Sequence, residues 1–148
     1  MSDNYLRLIP VAPDYVPSPE QIDHALEALA DISGASAWRM AVLPETQFVD
    51  PGSNLESITC PWCDARQNLE WWTEAMDRAS HTGFQDLHVE MPCCGQRVSL
   101  NDLGYVWPAG FARFLIESRN PDADISAEAL ALASAALGMG LRKIWAHY

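Results

Sequence analysis

Apolar positions along the chain fall into two stretches of similar plan, one near each end. In the first, Tyr5-Leu6-Arg7-Leu8-Ile9 has the composition of a short strand. Ser18-Pro19-Glu20-Gln21 then provides an N-cap at Ser18, a proline at the first helical position and a capping-box partner at Gln21. Ile22, Ala25, Leu26 and Leu29 recur at helical spacing, Gly34 is placed to stop the helix, and residues 37–43 predict a second strand. The second stretch repeats the order: residues 111–117 form a strand, Asn120-Pro121-Asp122 breaks it, and Ser126 caps a helix carrying Leu130, Ala133 and Leu137. Gly138 and Gly140 end that helix, and residues 141–148 supply a closing strand. Two βαβ units in one chain predict an α+β fold over a single domain, residues 1–148: a ferredoxin-like βαββαβ sandwich, with a four-stranded sheet backed by two helices.

Residues 48–108, between the two stretches, are too long and too patterned for a loop, and predict a subdomain inserted between the second and third strands. Within it, residues 68–80 form an amphipathic helix with Leu69, Trp72, Met76 and Ala79 on one stripe. Residues 86–91 and 96–100 alternate as the arms of a hairpin. Trp71 is expected to cover the junction between insert and sandwich, and Trp107-Pro108-Ala109-Gly110-Phe111 to form a rigid turn with an aromatic plug.

The chain's four cysteines sit in two tight clusters, Cys60-Pro61-Trp62-Cys63 and Pro92-Cys93-Cys94-Gly95, the second at the hairpin tip. Four thiolates presented by two turns are what a tetrahedral Zn²⁺ requires, and a Cys₄ tetrahedron also accepts iron. The two turns resemble the knuckles of a zinc ribbon, whose usual pattern is C-P-x-C paired with a second C-P-x-C-G; the likeness spans roughly residues 58–100. As a whole the chain resembles uncharacterised small bacterial proteins that carry such an insert. The resemblance transfers to Cys60, Cys63 and Cys94. It departs at the second turn, where Met91 stands in the leading cysteine's place. Cys93 is therefore expected as the fourth ligand, with His88 as the fallback.

Two other chemistries remain open. Cys60-Pro61-Trp62-Cys63 is similar to the C-P-[YFW]-C motif of glutaredoxins, which would make Cys60 a redox nucleophile at a helix N-terminus. His88-Val89-Glu90 before Pro92-Cys93 is similar to parts of the zinc-deaminase signature, which would make this a small metalloenzyme. The spacing argues against the second, because those parts belong on separate helices. The chain has no Gly-rich phosphate loop, no G-x-S-x-G and no paired-carboxylate signature.

Charge narrows the partner. The formal charge is -11, and residues 1–96 hold 15 of the 20 acidic residues but 4 of the 9 basic ones. Such a surface repels nucleic-acid phosphate and attracts a basic protein. With no basic n-region at the start and no apolar run approaching a membrane span, a cytoplasmic location is expected, where cysteines serve as metal ligands rather than disulfides. These features together predict a zinc-binding, non-enzymatic protein-interaction module, for example an inhibitor or immunity-type protein facing a basic target.

Overall fold

The computed structural model describes residues 2–33 and 37–148, and Gly34, expected to end the first helix, lies outside them. Among the described residues the architecture is mixed α and β, with three α-helices and eight strands in antiparallel sheets. Strands β1 (Asn4–Pro10), β2 (Arg39–Val49), β7 (Gly110–Arg119) and β8 (Leu141–His147) form a four-stranded sheet in the order β2-β7-β1-β8.

Helices α1 (Pro19–Ser33) and α3 (Ala127–Leu137) lie on one face of this sheet. Their starts are dictated locally. The Ser18 N–H donates to Gln21 Oε1 at 2.8 Å and the Gln21 N–H to Ser18 Oγ at 3.2 Å, a reciprocal capping box. Ser126 Oγ accepts from the Ala129 N–H, and Gly138 closes α3 in the left-handed conformation at φ 72°. Ile22, Ala25 and Leu29 of α1 and Ala129, Ala133 and Leu137 of α3 are buried against Leu6, Leu8, Phe114 and Ile116 of the sheet. In α3 the inward positions are mostly alanines, so the helix packs close, and Leu130 is only half-buried.

The chain between Val49 and Gly110 builds most of a second core, which Phe111 of β7 completes. Here β3 (Ser57–Thr59) pairs with β6 (Gly104–Val106), and β4 (His88–Glu90) pairs with β5 (Arg97–Ser99) in the expected hairpin. Helix α2 (Leu69–Ser80) is capped by Asn68, whose side chain accepts from the N–H groups of Glu70 and Trp71. Its buried positions are Ala75 and Ala79, while Leu69 is 57% exposed. The stripe is thus rotated from the expected one: Leu69 is the first residue after the cap, ahead of the turn that meets the core. Trp71, Trp72 and Met76 pack against this core, together with Phe48 of β2. Trp107 is 42% exposed, whereas Phe111, at the other end of the same turn, is fully buried in this core.

Asn101, in the 3₁₀ turn at Leu100–Asp102, joins the two cores. Its Nδ2 donates to the Val11 carbonyl at 3.1 Å and its Oδ1 accepts the Phe111 N–H at 2.9 Å. Arg142 Nη1 donates to the Asn101 and Ala109 carbonyls, both at 2.8 Å. A Cβ on Gly110 would stand 2.7 Å from that same Nη1, so any larger residue there would have to displace the guanidinium.

Candidate metal centre

Each cysteine cluster closes a short hairpin, and the two hairpins share one hydrogen-bond plan. In the first, the Cys60 N–H donates to the Ala65 carbonyl at 2.9 Å and the Asp64 N–H to the Cys60 carbonyl at 2.9 Å. In the second, the Met91 N–H donates to the Gln96 carbonyl at 2.9 Å and the Gly95 N–H to the Met91 carbonyl at 2.7 Å. Proline follows in both, at Pro61 and Pro92, and a left-handed residue sits in the same place, Asp64 at φ 62° and Gly95 at φ 74°. Met91 is therefore the structural counterpart of Cys60, and Cys94 of Cys63. Cys93 corresponds to Trp62, a position that carries no ligand in an ordinary knuckle.

The two turns face one another and gather all four sulfurs within 4.8 Å. Across the gap Cys60 Sγ lies 3.7 Å from Cys94 Sγ, and Cys63 Sγ lies 3.4 Å from Cys93 Sγ. A tetrahedral ion with metal–sulfur bonds of about 2.3 Å separates its sulfurs by about 3.8 Å. The cysteines are free thiols, Cys60 buried and the other three exposed. The donor set and its spacing thus suit a thiophilic tetrahedral cation.

Electrostatics point the same way. Burial opposes ionisation of Cys60, but the N–H groups of Cys63 and Trp62 and the Cys93 and Cys94 thiols outweigh it, lowering this thiol to about 7. At Cys63 the Ala65 N–H favours the thiolate, yet the Cys93 thiol, burial and the Cys60 charge prevail and push it up to about 12. Cys94 is likewise raised, the Gln96 N–H being outweighed by burial and by Cys60 and Cys93. Cys60 thus ionises more readily than Cys63 and Cys94, and a cation among these sulfurs would favour their thiolate forms together.

A residue absent from the sequence reading also enters the site. Buried Gln67 donates through Nε2 to the Ala65 carbonyl at 2.7 Å and to Cys93 Sγ at 3.3 Å. Cys93, outside the ordinary knuckle position, is thereby held by a side chain. No spacing rule marks a glutamine four residues beyond Cys63.

His88 is not part of the quartet. It opens β4, with Nδ1 3.5 Å from an Asp86 carboxylate oxygen. Neither geometry expected of the other two chemistries is present. Cys60 is fully buried within a turn, and α2 begins only at Leu69, so the thiol does not front a helix N-terminus. His88 and Glu90 lie on a strand rather than a helix. A cleft of about 550 Å³ is lined in part by His88, but no cysteine borders it.

No protein-family model matches the chain, and neither a curated protein nor a solved structure matches it. Among the described residues, no helix is long and apolar enough to cross a membrane.

Proposed function

We propose that the protein is a zinc-stabilised, non-enzymatic interaction module. In this reading a ferredoxin-like frame carries a ribbon-like insert between its second and third frame strands, and Cys60, Cys63, Cys93 and Cys94 hold one Zn²⁺ in a closed site. The strand order β2-β7-β1-β8, with α1 and α3 on one face, supports the frame. The observation that carries the metal reading is the convergence of four free thiols, from two turns of the same hydrogen-bond plan, within 4.8 Å. Four protein ligands leave no open coordination position, which makes the ion's role structural.

Binding of a basic protein is the function this leaves. Its support is the acidic excess of residues 1–96 and the exposure of Glu20, Asp23 and Glu27 on α1 and of Glu70, Glu74 and Asp77 on α2. A partner bound through these faces should dissociate as salt rises from about 50 to about 500 mM; retention at the higher salt contradicts the charge argument.

Thermal unfolding before and after treatment with a strong chelator tests the metal reading. Removal of the ion should abolish the cooperative melting of the insert, followed by tryptophan fluorescence, and added Zn²⁺ should restore it. An unchanged transition after verified metal removal contradicts a structural role.

A further inference from the structure

The cleft lined by Arg113 and His88 combines a built shape with charges that nothing else uses. One wall belongs to the frame: Pro13 and Asp14 after β1, Pro44, Glu45 and Thr46 in β2, and Arg113 in β7. The other belongs to the insert, with Phe84, Leu87 and His88. Its volume of about 550 Å³ falls in the range of small-molecule sites, about 300–1,000 Å³.

Two backbone irregularities open it. β2 and β7 pair up to Val42↔Phe114 and resume at Gln47↔Ala112, so residues 43–46 bulge opposite Arg113 alone. Such bulges re-aim side chains and interrupt pairing beside functional sites. Across the cleft, Phe84 is held in the left-handed conformation at φ 56°, which a bulky residue adopts only when its surroundings require it. The ring is thereby seated against Phe111, with centroids 5.3 Å apart, and forms an apolar surface beside Leu87.

The charges are arranged for a ligand that carries both signs. Arg113 spends Nε on the Leu43 carbonyl at 3.2 Å, an anchor that leaves its terminal nitrogens without a protein partner among the described residues. Asp14 and Glu45 are exposed and have neither a hydrogen-bond nor an ion-pair partner among the described residues. His88, by contrast, is already turned to Asp86. One free guanidinium, two free carboxylates and an apolar surface of Phe84, Leu87 and the two prolines match a zwitterion with an apolar body. From this combination we propose that the cleft binds a short apolar peptide or amino acid in zwitterionic form. Its ammonium would lie on Asp14 and Glu45, its carboxylate on Arg113 and its side chains on Phe84 and Leu87. The site shares no residue with the cysteine quartet and does not depend on the basic partner inferred above.

The test is a titration of the ¹⁵N-labelled full chain with the dipeptide Leu-Leu, its N-acetyl and C-amide derivatives, and free leucine, followed by amide chemical shifts. Leu-Leu should give saturable shifts at Thr46, Phe84, His88 and Arg113, and blocking either end should weaken binding at least tenfold. Glu45→Gln should remove most of the preference for the free ammonium, and Arg113→Gln most of the preference for the free carboxylate. Dispersed spectra of both variants would establish that they fold, and Glu45→Gln alone suffices if loss of the Leu43 contact unfolds the other. Equal affinity for free leucine assigns the site to an amino acid, and tighter binding of Leu-Leu assigns it to a peptide. The proposal is overturned if neither compound gives saturable shifts, or if the blocked dipeptides bind as well as the free one.

Discussion

Met91 occupies the place in the second cysteine turn that Cys60 occupies in the first, and it is buried with 1% exposure in the same core as Cys60. Cys93, two residues later, supplies the missing sulfur from an exposed position and relies on the Gln67 amide. A leading thiolate at position 91 should therefore be able to replace Cys93. We predict that Cys93→Ser weakens metal binding at least 100-fold in a chelator competition, and that Met91→Cys added to Cys93→Ser recovers most of the loss. Failure of the double variant to recover affinity would contradict the equivalence of the two turns. Gln67→Leu keeps the apolar volume but removes the donor to Cys93. It should lower affinity about 10- to 100-fold, the usual cost of losing a partner that orients a ligand, with far-ultraviolet circular dichroism unchanged. The cysteines were legible in the sequence because C-P-x-C spacing is local, and so was the substitution at Met91. Gln67 was not legible, because it reaches Cys93 across 26 residues of chain.

Helix ends were the most legible elements, since Ser18-Gln21 and Ser126 act within three residues of themselves. The pairing of β3 with β6 was not legible: each strand has three residues, and they meet across more than 40 intervening positions. The bulge at residues 43–46 also escaped, because it depends on what β7 places opposite. Asn101 belongs to this non-local class and joins the end of β1 to β7 and β8 through its contacts with Val11, just after β1, Phe111 and Arg142. Asn101→Ala strands the Phe111 N–H and the Val11 carbonyl, and should destabilise the protein by about 3 kcal/mol in urea unfolding. A loss below about 1 kcal/mol would mean that water replaces those bonds.

The connection into α3 predicts a pH effect. Burial opposes ionisation of Asp124, but the Lys143 ammonium at 2.7 Å, the Ile125 N–H and the Trp145 indole outweigh it, so its carboxyl lies below the ordinary value of 3.8. A carboxyl depressed on folding stabilises the protein fully above its unfolded value, and that contribution is lost as pH falls through the lower folded value. The melting temperature should accordingly drop as pH falls below about 4, and Asp124→Asn should flatten part of that drop. An identical pH profile in the variant would contradict the assignment.

At the scale of the molecule, one hairpin links the two candidate sites. β4 and β5 carry the second knuckle at their tip, and the pair His88↔Ser99 at their base lines the cleft. A metal that fixes the tip therefore also steadies one wall of the cleft. The charge asymmetry was readable from composition alone, whereas the cleft was not, since its lining is gathered from separate segments between Pro13 and Arg113. The account rests on the quartet holding an ion. Elemental analysis of the freshly purified protein, paired with thiol titration under native conditions, tests this most directly. The account predicts one zinc per chain, with all four thiols protected until a chelator removes the ion. Metal-free protein whose exposed Cys63, Cys93 and Cys94 react at once would contradict it.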